Sequence, residues 1–222
     1  MTEEPISDDE FDEFIQDYLN SRPNYSDHAT RVLVIGGIVS FVVMKVLGSD
    51  FALSLACVPS AVVEAKEIWR VVSYAILHMN LLHLGVNMWL IWVIGSLYEL
   101  TAGTRSLLIL FVGGVIVGGV TYVPWAYWQG LEALPLAGAS GGLAAILAAL
   151  AVRSPDQEMK LLLMGTWRLP VIVRFLALFE ILNAIFRFWP SLAGTTNLGG
   201  ILFGFAYATF IKRRRNQRFM TR

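Results

Sequence analysis

Gly138-Ala139-Ser140-Gly141-Gly142 opens a short apolar run built mainly of Gly, Ala and Leu, and Asn197-Leu198-Gly199-Gly200-Ile201-Leu202-Phe203-Gly204 opens another. Small residues at this density let one membrane helix press closely on its neighbour. The Ser140 hydroxyl has two readings: a packing residue that bonds back to its own backbone, or a nucleophile held at depth. In the second run, turning about 100° per residue puts Asn197, Gly200, Gly204 and Ala208 on one narrow face, a seam of small residues with Asn197 at its top. The runs, 138–152 and 197–211, hold about fifteen residues each, against the ~20 that cross a bilayer. Both helices are therefore expected to start below the membrane surface. Backbone exposed at that depth must line a cavity or lie buried in protein.

The rest of the chain supports a membrane setting. It has 222 residues, 56% of them hydrophobic and only 15% charged, with mean hydropathy +0.60. Long apolar runs account for those values, so the reading is an all-α polytopic membrane protein. The net charge of zero conceals a split: residues 1–29 carry nine acidic side chains and one basic, Arg22, while the remainder carries eight acidic and sixteen basic. One cysteine, Cys57, allows no intrachain disulfide, and no Cys/His cluster has zinc-site spacing. No metal, cofactor or nucleic acid is expected. The acidic N-terminus is neither a secretory nor a transit signal, so the first apolar run reads as a retained anchor.

Residues 7–20 have the pattern of a short soluble helix. Ser7 and Glu10 form a capping box, and Phe11, Phe14, Ile15, Tyr18 and Leu19 share one stripe. Six spans are expected after it, at about 31–48, 75–98, 106–123, 138–152, 170–189 and 197–211. The connection 49–74 reads as partly interfacial, with Trp69-Arg70 as an anchor. Residues 124–137 read as an aromatic loop and 153–169 as a polar connection. The second span carries His78, His83 and Asn87 and ends at Glu99, with His83 and Asn87 stacked one turn apart. Polar groups in a span cost a few kcal/mol each, so three in ten positions point to a site, with interhelical hydrogen bonding as the alternative. Glu180 and Asn183 in the fifth span read as such bonding. Basic residues Lys212 to Arg215 and Arg218 put both termini in the cytoplasm and Ser140 and Asn197 near the outer leaflet. Small size and the absence of targeting signals point to a bacterial inner membrane.

These residues resemble the rhomboid family of intramembrane serine proteases over about residues 30–212. Trp69-Arg70 is similar to the family's first-loop motif. His78, His83, Asn87 and Glu99 are similar to its second-span pattern, Gly138-Ala139-Ser140-Gly141 to its nucleophile motif, and Leu198-Gly199-Gly200 with Gly204 to its sixth-span packing motif. The resemblance implies a six-helix rhomboid-like bundle at 30–212, after an acidic cytoplasmic segment at 1–29 and before a basic tail at 213–222. It also implies Ser140 as nucleophile, His83, Asn87 and the Ser140 amide as oxyanion donors, and Trp69, Arg70, His78, Glu99, Gly138, Gly141, Gly200 and Gly204 in structural roles. Its partners would be client transmembrane segments and the lipid bilayer.

One position departs from the family. A histidine is expected immediately before Leu198-Gly199-Gly200, and Asn197 stands there. A serine hydroxyl needs a partner that takes its proton and returns it to the leaving amine. An amide does not titrate, although it can hydrogen-bond and hold Ser140 in position. In a soluble serine protease, losing the histidine costs on the order of 10⁶ in kcat. The leading expectation is a weakly active or inactive rhomboid that binds client segments. The alternatives are an active serine endopeptidase with His83 or His78 as substitute base, and a small channel or carrier lined by the intramembrane polar residues. No inverted repeat supports the last.

Overall fold

The computed structural model describes residues 27–161, 165–188 and 194–220. The helix expected at 7–20 lies outside them. The chain begins with α1 (His28–Leu47) and then three short helices, α2 (Ser49–Leu55), α3 (Pro59–Val63) and α4 (Arg70–Ser73). Next come α5 (Leu81–Ala102), with one π turn at Ile91–Gly95, α6 (Thr104–Trp128) and α7 (Ser140–Arg153). A hairpin of β1 (Glu158–Leu161) and β2 (Gly165–Arg168) leads to α8 (Leu169–Phe186) and α9 (Gly194–Met220).

Four of these helices, α1, α5, α6 and α8, are long and apolar enough to cross a membrane. They turn Val32, Ile35, Val46, Phe175, Phe186 and similar residues outward, as suits a lipid solvent. The exception is α7. It has 14 residues, about 21 Å of helix, yet every residue from Gly141 to Ala151 is buried. The core is therefore centred on a helix shorter than any of those four, and α6, α8 and α9 pack around it.

Composition explains that placement. A Cβ on Gly114 of α6 would lie 2.5 Å from the Ala145 Cβ and 2.7 Å from the Gly141 carbonyl oxygen of α7. On α9, a Cβ at Gly200 or Gly204 would run into the carbonyl oxygens of Gly141 and Ala145. Backbones approach this closely only where there is no side chain.

The structure moves several expected boundaries. Pro124 lies inside α6, so Trp125, Tyr127 and Trp128 are the helix's last turn and not loop. Proline is tolerated there because it interrupts the ladder only near the helix end. The turn supports its surroundings: Tyr122 Oη donates to the Leu134 carbonyl (2.9 Å) and Trp125 Nε1 to the Ala184 carbonyl (3.1 Å). His78 precedes α5, which starts at Leu81 with Asn80 as its cap; Asn80 Oδ1 accepts from the His83 amide at 2.8 Å. Asn197 is not the first residue of its helix, which begins at Gly194. The connection 153–169 contains the antiparallel hairpin, pairing Glu158 with Arg168 and Leu161 with Gly165.

Glu99 binds the cytoplasm-facing end expected for α1. Its carboxylate accepts from the Ala29 and Thr30 amides (3.0 and 2.9 Å) and from the Thr30 and Thr104 hydroxyls (2.7 Å each). A buried anion is thus spent on the open N–H groups of a helix start, where the dipole favours it.

Candidate active site

The loop 129–139 delivers Ser140 to the head of α7, and the first connection holds that loop. Arg70, buried beside exposed Trp69, donates from Nη1 to the Leu53 and Ala56 carbonyls (2.5 and 2.8 Å) and from Nε to Glu67. Cys57, next in line, exchanges backbone hydrogen bonds with Leu136: Cys57 N to Leu136 O at 3.1 Å, and Leu136 N to Cys57 O at 2.9 Å. Ser60 N donates to Glu132 O, and Gly138 N to Tyr74 O, both at 3.0 Å. The guanidinium therefore positions Ser140 at one remove, through Ala56, Cys57 and Leu136. Burial pushes the Cys57 thiol up to about 12, with Arg70 opposing, so this sulfur is a packing atom and not a nucleophile.

Gly138 has φ +124°, a conformation other residues rarely adopt. A Cβ there would also meet the His83 ring, 2.7 Å from Cε1 and 2.8 Å from Nε2. Glycine is thus needed for two reasons, and the second brings His83 within two residues of Ser140. His78 meets His83 edge-on, with ring centroids 5.3 Å apart at 63°. Both His78 ring nitrogens are buried without a partner among the described residues. Asn87 Nδ2 donates to the His83 carbonyl one turn back (2.9 Å), and its Oδ1 is buried and unpartnered. One amide hydrogen of Asn87 remains available.

Ser140 is half-buried at the first position of α7. Among the described residues its hydroxyl has no hydrogen-bond partner. The head of α9 lies against it. The Thr196 methyl would be 3.1 Å from a Cβ on Gly141 and 2.8 Å from one on Gly118 of α6. Thr196 and Gly141 therefore pack together, the immediate chain neighbours of Asn197 and of Ser140 respectively. No hydrogen bond joins Asn197 to Ser140. Instead, Asn197 Nδ2 donates to Glu180 Oε1 of α8 at 2.6 Å. The expectation that Asn197 holds the serine is corrected in this respect: a carboxylate is the stronger acceptor for an amide N–H. Glu180, read from sequence as interhelical bonding, does bridge α8 and α9, but its place beside the site was not foreseen. Its depth was a usable signal, because it lies six residues before the end of α8 and Asn197 three after the start of α9. Thr30 and Tyr74 (Oη to the Val115 carbonyl, 2.8 Å) were also missed. Among the described residues, no three His, Cys, Asp or Glu side chains gather as a metal site.

The sequence pattern of the rhomboid domain matches residues 65–214. Rhomboid protease GlpG of Serratia proteamaculans (strain 568) is 26% identical over 185 residues, covering 80% of this chain and 60% of that protein. Rhomboid protease GlpG of Yersinia pestis (strain Pestoides F) is 26% identical over 199 residues, covering 86% and 65%. That of Yersinia enterocolitica serotype O:8 is 24% identical over 193 residues, with the same coverage. The chain spans about three fifths to two thirds of the length of these relatives. The matched residues run from the end of the first connection through α5, α6, α7 and α8 into α9, more than half of the chain, and on that ground the chain belongs to the rhomboid family.

Proposed function

We propose that this chain is a rhomboid whose serine site has lost its general base, and that it binds client transmembrane segments with little or no cleavage. In this reading Ser140 keeps the nucleophile position, and His83, Asn87 and the Ser140 amide keep the oxyanion side. Six helices cross the membrane, including α7 and α9, with both termini in the cytoplasm. One observation carries the reading: the Asn197 amide gives its hydrogen to Glu180, while the Ser140 hydroxyl has no acceptor among the described residues. Without an acceptor that titrates, the hydroxyl remains a poor nucleophile. The relatives are named as rhomboid proteases, and the class of partner proposed for this chain is single membrane-spanning segments admitted from the bilayer.

A second reading is favoured by the contact between the His83 ring and Gly138, and by the unpartnered nitrogens of His78. Either imidazole could serve as substitute base if it turned toward Ser140, since unrelated folds draw their base from different positions. A serine-directed fluorophosphonate separates the two readings. The first expects no adduct on Ser140 in the parent chain and a Ser140-dependent adduct in Asn197→His, together with cleavage of a transmembrane reporter. Labelling of the parent that disappears in His83→Ala or His78→Ala would establish the second.

A further inference from the structure

Glu180 is 3% exposed, yet among the described residues only one of its oxygens has a partner; Oε2 is buried and unpartnered there, and so is Asn197 Oδ1. A carboxylate facing an amide decides which end of that amide it sees, because only the NH₂ end can donate. The nitrogen of Asn197 therefore points to α8, and its oxygen is left for the other side of the α9 head. Next to Asn197 in the chain, Thr196 packs on Gly141 at the head of α7, where the Ser140 hydroxyl has no partner among the described residues. We infer that Glu180 is a positioning residue for position 197: it fixes the side chain there by its nitrogen and leaves the other end for the Ser140 hydroxyl, so that this middle member lacks only a titrating nitrogen.

This rests on the reading of position 197 as an emptied general-base position. It adds a third member that the paired serine and base do not require. An imidazole at 197 would find its carboxylate already in place, held in the useful orientation and stabilised when charged. The nearest other ionisable group is Tyr74, whose Oη meets the same Gly118 position as Thr196. The elements packed around the α9 head also carry Tyr122 and Tyr127 on α6 with Arg105 at its far end, Arg153 at the far end of α7, and Arg174 on α8, six residues from Glu180. α9 itself carries Tyr207 and basic residues from Lys212, and His78 and His83 lie across the loop at Gly138.

The first test uses the full chain with asparagine side chains labelled with ¹⁵N, in detergent micelles. The Asn197 NH₂ resonance, assigned by its loss in Asn197→Ala, is expected to shift in Glu180→Gln and also in Ser140→Ala. Failure to respond to either substitution overturns the inference. The second test compares fluorophosphonate labelling of Ser140 in Asn197→His and in Asn197→His/Glu180→Gln from pH 4 to 9. The double variant is expected to label at least tenfold more slowly. Its acid midpoint should move down by about one unit, because the lost negative charge no longer favours the imidazolium. Equal rates and equal midpoints overturn the inference while leaving the missing-base reading intact. If Asn197→His does not label at all, the missing-base reading falls, and the resonance test decides on Glu180 alone.

Discussion

Glu99 and Glu180 are both glutamates buried in apolar helices, at 0% and 3% exposure, and the protein treats them in opposite ways. Four donors converge on Glu99 from α1 and the start of α6, and neither oxygen is left over. Glu180 has one amide on one oxygen, and the other is bare. A saturated polar network rigidifies the region it joins, whereas a half-saturated one keeps capacity for another contact. The contrast assigns Glu99 to architecture and Glu180 to the site, although the two look alike in sequence.

The largest effect that would break this contrast is expected at Glu99. Glu99→Ala strands two amides at the head of α1 and should cost about 3–5 kcal/mol, or the folded yield altogether. Thermal unfolding in detergent measures it, and a loss below about 1 kcal/mol would put the two glutamates in one class. Glu99→Gln should still cost roughly 2 kcal/mol, because an amide nitrogen would then face backbone donors. Glu180→Ala is expected to cost about 1–2 kcal/mol, the worth of one hydrogen bond and a small cavity. Glu180→Gln should change stability by less than about 0.5 kcal/mol, since its carbonyl still accepts from Asn197. Glu99→Gln and Glu180→Gln therefore form the sharpest pair, and equal melting temperatures would erase the distinction.

Cys57 supplies the smallest effect and shows what burial does without a polar network. With its thiol at about 12, the thiolate fraction at pH 8 is about one part in ten thousand. The ordinary thiol is ionised from about pH 8.5 upward, so burial holds the proton on in the folded state. Maleimide added at pH 8 should label Cys57 only as fast as the protein unfolds. Prompt labelling of folded protein would show that the segment tying Arg70 to Ser140 is open.

Much of this molecule could be read from its sequence because lipid imposes simple demands. The runs that became α1, α5, α6 and α8 were visible as apolar length, and the close contacts of α7 with α6 and α9 were visible as Gly and Ala. What failed to show were choices between partners. Helices apolar on nearly every face carry little mark of which side meets which neighbour, so beyond a shared depth nothing in the chain tied Glu180 to Asn197, and nothing tied Thr30 to Glu99. Short-range habits also misled. Pro124 looked like a terminator, yet α6 continues through it for one more turn. At the candidate site, the residue types and order were legible, but the direction in which Asn197 donates was not, because rotation about a helix axis is settled by packing.

The helix lengths have one further consequence. α6 runs 25 residues and α7 only 14, a shortfall of about 16 Å at 1.5 Å of rise each. Gly141 packs against Gly114, well before the end of α6 at Trp128, so Ser140 starts α7 well inside the length of α6 and non-helical chain covers the difference. A thicker or thinner bilayer would alter the tilt of the outer helices while leaving Ser140 at the same distance from the end of α6.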